Sequence, residues 1–97
     1  MELVIFARFH AREGQQAAVE AAVREVTSIT RELEPGCLAI AHYRSLRDPK
    51  LFFIHSRWAD ETAFDLHATL PHTARFLERV QRLIDHSLDV NRTTVLA

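Results

Sequence analysis

The sequence predicts an α+β fold: a four-stranded antiparallel sheet with elements ordered β-α-β-β-α-β and the second helix broken. Three observations predict it. Short apolar runs rich in β-formers alternate with segments whose apolar residues recur every three or four positions. The chain has only two glycines and three prolines, and most of them fall between those segments. Its 97 residues, 47% hydrophobic and 26% charged, suit one packed domain spanning 1–97 that buries roughly 60 to 68 per cent of its unfolded surface.

Residues 3–9 form an apolar run of strand formers, the first strand, which ends at Glu13-Gly14. From 15 to 33 the apolar residues Val19, Ala22, Val23, Val26, Ile29 and Leu33 trace one helical stripe. Pro35-Gly36 stops that helix. Residues 37–45 are the second strand, 47–50 (Arg-Asp-Pro-Lys) a turn, and 51–58 the third strand, so a hairpin joins the last two. Asp60 is placed to cap a short helix starting near Glu61, and Pro71 interrupts or restarts it. Phe76, Leu77, Val80, Leu83 and Ile84 continue at helical spacing, and residues 88–96 are the last strand. This order is the split βαβ arrangement of ferredoxin-like domains.

Two helices can cover only one face of such a sheet, yet the strands are apolar on both. Leu3 and Ile5 point one way and Val4 and Phe6 the other; Leu51 and Phe53 oppose Phe52 and Ile54. No third layer is available in a chain this short, so a homodimer is expected to cover the second face. Arg57, His55 and Phe53 are then expected to face the partner.

Twelve basic and thirteen acidic residues give a formal charge of −1, with no run of like charge, so no nucleic-acid stripe or membrane anchor is expected. Lone Cys37 allows no internal disulfide and suggests a reducing cytoplasm. No apolar run nears the roughly 18 residues that span a bilayer. Met1-Glu2 leads straight into strand residues, unlike a signal peptide.

Chemistry-bearing residues gather late in the chain. Trp58 ends the third strand, and by period two it shares a face with Ser56, Ile54 and Phe52. It is either a core aromatic closing the sheet edge or one wall of a pocket. If that face looks toward the helices, Phe64 and Phe76 complete an aromatic-lined cavity suited to a flat apolar ligand. His67 is either a histidine hydrogen-bonded to backbone or a group that moves protons in that cavity. His72, after Pro71, is either a similar proton carrier or a cap on the following helix. The two lie five positions apart, where a helical metal pair wants four and a third ligand, so no metal is expected. Asp60, Glu61 and Asp65 read as a capped, solvated first turn. Ser45 and Ser56 have no visible triad partners, and Cys37 reads as a buried thiol. His10, His42 and His86 read as surface or interface residues. No glycine loop is present to cradle a nucleotide or flavin.

With these residues in view, the chain resembles the antibiotic biosynthesis monooxygenase domain family over nearly its whole length. The likeness rests on Ala11-Arg12-Glu13-Gly14-Gln15, Glu34-Pro35-Gly36-Cys37-Leu38, Arg44-Ser45 with Asp48-Pro49, and above all Trp58-Ala59-Asp60-Glu61 through His67 and Pro71-His72. It is to short stand-alone members similar to quinol monooxygenases, and it extends to the isomerase that processes phosphorylated autoinducer-2. The resemblance implies a dimeric α/β barrel of ferredoxin-like subunits. It also implies oxidation without metal or flavin: a phenol or enol is deprotonated between helices and sheet, and its anion reacts with O₂. On that basis His67 is the first choice for base or anion donor and His72 the second, with Trp58 stacking on the ring. Ser56 stands where many relatives carry a glutamate, and Ile40 where many carry a tyrosine. Ala7, His67 and Leu77 replace the residues of the haem-degrading branch, which argues against haem degradation.

The function expected is thus a cofactor-independent monooxygenase acting on a small quinol or phenol. An isomerase using the same histidines and a non-catalytic dimeric module binding an apolar ligand are the alternatives.

Overall fold

Strand-forming runs and helical stripes fold where the sequence puts them. In the computed structural model, which describes residues 1–97, the order is β1 (Leu3–His10), α1 (Gln16–Leu33), β2 (Cys37–Arg44), β3 (Leu51–Trp58), α2 (Glu61–Thr69), α3 (Pro71–Gln81) and β4 (Asp89–Thr93). The sheet is antiparallel throughout, ordered β2-β3-β1-β4, which is the ferredoxin-like arrangement.

Register decides which side chains meet the helices. Trp58, Ser56, Ile54 and Phe52 stand opposite Leu3, Ile5, Ala7 and Phe9, and all eight are buried. Cross-strand partners share a face, so these form the floor beneath Val19, Ala22, Val23 and Val26 of α1 and Phe76 and Val80 of α3. The opposite face carries Val4, Phe6 and Arg8 beside Arg57, His55 and Phe53, with Tyr43 paired to Phe53. Much of it lies open, with Phe6 51% exposed and Tyr43 44%, although Val4 at its end is buried. Ring contact between Phe6 and His55, centroids 5.1 Å apart, organises the patch.

Several expectations need correction. Leu33 is 63% exposed and Ile29 only half-buried, while Thr27 and Thr30 are buried in their place. Leu33 is the last residue of α1, and its place on the stripe brings no burial there. β4 stops at Thr93, and Val95 and Leu96 beyond it are exposed; β1 offers that edge only the partners Val4 to Arg8. His42 lies opposite Ile54 on the helix side of the sheet, away from the uncovered face. His10 ties three segments together. Its Nδ1 meets Asp85 at 2.8 Å and its Nε2 meets Asp48 at 3.2 Å, and these carboxylates raise its pKa.

Two glycines are required by geometry. Gly14 turns the chain between β1 and α1 at φ 79°, a left-handed conformation that side chains resist. At Gly36 a Cβ would lie 2.7 Å from Cβ of Ala63, so α2 approaches the α1–β2 link as closely as it does only because no side chain intervenes.

Candidate active site

The α2–α3 break creates the site. Asp60 caps α2, accepting a hydrogen bond from the Ala63 amide at 2.9 Å. Leu70 then takes φ −75° and ψ 149°, the extended conformation favoured before proline, and Pro71 opens α3 at its first turn. On one unbroken helix, side chains five apart point roughly 140° from each other. The break lets His67, in the last turn of α2, and His72, in the first turn of α3, converge on one atom.

That atom is Oε2 of Glu34. His67 Nδ1 lies 2.7 Å from it and His72 Nε2 2.6 Å. Glu34 caps the end of α1 and is 8% exposed. A carboxylate only accepts hydrogen bonds, so both imidazole nitrogens facing it are donors. In neutral His67 the lone pair is therefore on Nε2, which has no protein partner and is not occluded. Thr73 Oγ1 adds a contact to Nδ1 at 3.3 Å.

His67 also stacks on the aromatic wall, 4.7 Å from the Trp58 ring and 5.5 Å from Phe64. Trp58 is 1% exposed and donates its Nε1–H to Ser56 Oγ at 2.9 Å. Phe64 packs edge-on against Trp58 at 5.4 Å, with the Arg92 guanidinium 4.9 Å over its ring. Arg92 is held there by Glu61 at 3.0 Å and Asp65 at 2.8 Å. Beneath these groups lies an apolar cavity of ≈ 210 Å³ whose wall includes His67, Trp58, Ser56, Ile54, Phe64 and Phe76.

Two predicted site residues lie elsewhere. Phe52 shares the inner face but sits six strand positions from Trp58, about 20 Å along β3, and fills the core beside Phe9. His72 is buried behind Glu34 and lines the groove between α1 and α3, not the cavity. No spacing rule in the sequence points to Glu34 or Thr30 as part of the site. Glu34 left one signal: an acid at a helix C-terminus, where the macrodipole favours a cation, is a local inconsistency of the kind that marks function.

Glu34, His67 and His72 are also a metal-ligand set, with donor atoms within 4.8 Å of one another, as are His10, Asp85 and His86. The 2.6 and 2.7 Å contacts at Glu34 are hydrogen-bond lengths; donors around a tetrahedral ion at ~2.0–2.1 Å stand about 3.3 Å apart. Protons, not a shared ion, fit the spacing. Cys37 is half-buried, and burial together with the Glu34 charge pushes its thiol pKa up, the wrong direction for a nucleophile.

A family model described as antibiotic biosynthesis monooxygenase matches residues 3–79. Among solved structures, Rv0793 from Mycobacterium tuberculosis superposes with a TM-score of 0.92 at 24% identity, covering 100% of this chain and 97% of that one. PA3566 from Pseudomonas aeruginosa follows at 0.90 and 26%, covering 99% and 95%. An antibiotic biosynthesis monooxygenase structure reaches 0.90 at 24%, covering 98% and 99%. No curated protein matches the chain.

Proposed function

The chain belongs to the antibiotic biosynthesis monooxygenase family, and from that premise we propose that it is a cofactor-independent monooxygenase oxidising a small quinol or phenol with O₂. The family supports monooxygenase-like chemistry in general. One observation carries it: His67 lines an apolar, aromatic cavity with its Nε2 free of any protein partner, while Glu34 holds its Nδ1–H at 2.7 Å.

The substrate hydroxyl gives its proton to His67 Nε2. Glu34 keeps the imidazole in the accepting tautomer and stabilises the imidazolium that forms, as a carboxylate does behind a catalytic histidine. Trp58 and Phe64 hold the ring, and Ile54, Ser56 and Phe76 complete a wall that keeps water from the phenolate. The electron-rich anion reacts with O₂ at a ring carbon. His67 returns its proton to the peroxide, and loss of water turns that C–H carbon into C=O. Overall, a phenol and O₂ give a quinone and water, the substrate supplying all the electrons. His72 has a positioning role: it is the second donor that keeps Glu34 oriented.

We take residues 1–97 as one domain that works as a homodimer through the uncovered sheet face, in the reducing cytoplasm that a lone thiol favours. The test is oxygen uptake with a panel of quinols. Turnover must stop under nitrogen, and His67→Gln must lower kcat by roughly 10²- to 10⁴-fold. Product formed without O₂ sinks the oxygenase assignment; saturable binding without O₂ uptake makes the protein a binding module.

A further inference from the structure

We propose that Thr30 selects the substrate: it binds the second oxygen of a single-ring dihydroxyarene whose first oxygen faces His67. This rests on the assignment of His67 as base and adds a specificity residue to it. Thr30 is 0% exposed, and its Oγ1 has no hydrogen-bond partner. A helical threonine ordinarily satisfies its hydroxyl on a carbonyl one turn back, and a buried polar atom left unpaired is rare in a native protein. Thr30 also lines the cavity of His67 and Trp58. Of the cavity's other hydroxyls, Ser56 Oγ accepts from Trp58 Nε1 and Thr73 Oγ1 lies 3.3 Å from the Nδ1–H of His67, whereas Thr30 Oγ1 has no partner at all.

Spacing and size agree. Thr30 and Glu34 lie four apart on α1, with the Glu34 amide donating to the Thr30 carbonyl at 3.1 Å. Thr30 is therefore about 6 Å of helical rise from Glu34, the residue that orients the base. The oxygens of a para-dihydroxybenzene are separated by one ring, a span of the same order. The cavity volume of ≈ 210 Å³ modestly exceeds the roughly 150 Å³ that holds benzene, which suits one substituted ring. Thr27 supplies an internal control. Its Oγ1 is equally buried and unpaired, but it is not part of the cavity wall.

The experiment compares hydroquinone with phenol by kcat/KM for oxygen uptake and by anaerobic binding read from the fluorescence of Trp58. In Thr30→Val, hydroquinone loses roughly 10- to 100-fold in both measures, phenol is unchanged, and thermal stability does not fall. Thr30→Ser restores hydroquinone, and Thr27→Val leaves the preference intact. Equal effects on both probes, no effect on either, or failure of hydroquinone to bind the native protein overturns the proposal. Native turnover in His67→Gln instead removes the base assignment, while the anaerobic affinities still report on Thr30.

Discussion

Glu34 shows how one residue can define the chemistry of a site. Its oxygen receives two imidazoles within 2.7 Å and is nearly sealed from water, so those two donors supply the hydrogen bonds that water would otherwise give. Glu34→Gln keeps the shape, but its amide oxygen is a weaker acceptor for two imidazoles. It should lower kcat at least tenfold with little change in KM, a split that steady-state kinetics reads directly. His72→Ala removes one donor to the buried charge and should cost about 2 kcal/mol of stability, measured by denaturant unfolding. His72→Gln, which can still donate, should recover most of that loss and of the activity. An inactive but fully stable His72→Gln protein would show that His72 takes part in proton transfer, against its positioning role.

At the scale of elements, the site depends on how closely α2 approaches the end of α1. Gly36 permits that approach, and the Ala59 amide donates to its carbonyl at 2.9 Å. Gly36→Ala must push α2 away by a few tenths of an ångström or more. The expected result is a thermal midpoint lower by several degrees and a loosened His67–Glu34 contact, visible as reduced turnover even where the protein stays folded. Gly14→Ala is the matched control, because it strains a left-handed turn remote from α2 and should destabilise by about 1 kcal/mol without touching turnover.

For the whole molecule, the exposed face around Phe6, Phe53 and Tyr43 is the surface a second copy would bury. Phe6→Glu places a charge in the middle of that patch and should convert a dimer to a monomer in sedimentation. A native protein that is already monomeric at micromolar concentration removes the dimer. Elsewhere, His10 clamps the end of β1 to Asp48 and Asp85, and His86 meets the same Asp85 at 2.5 Å. The clamp raises the pKa of His10 and lowers that of Asp85, while Asp48 is lowered first by the Lys50 amide that it accepts from and then by His10. The His10 contribution is complete below its ordinary pKa of 6.5 and is lost as pH rises through its higher folded value. The aspartates contribute above their ordinary 3.8 and lose that as pH falls through their lower folded values. Destabilisation by His10→Asn, followed by thermal melts, should therefore peak between about pH 4 and 6.5 and shrink toward pH 8; a difference independent of pH would rule the clamp out.

Local chemistry was readable from sequence wherever it acts over a few residues. Strand runs, the α1 stripe, the Asp60 cap and the Pro71 break depend on periodicity, capping and ring geometry, all of which operate within one or two turns. The shared face of Trp58, Ser56 and Ile54 followed from strand alternation in the same way. The meeting of Glu34 with His67 and His72 did not, because 33 and 38 residues separate the partners and no spacing rule spans that distance. Packing also decided that Thr30 would be buried in place of Leu33, and that His72 would stand behind the carboxylate and outside the cavity. Periodicity determined which face of each segment turned inward; only the close approach of α2 over Gly36 determined which inward-facing groups would touch.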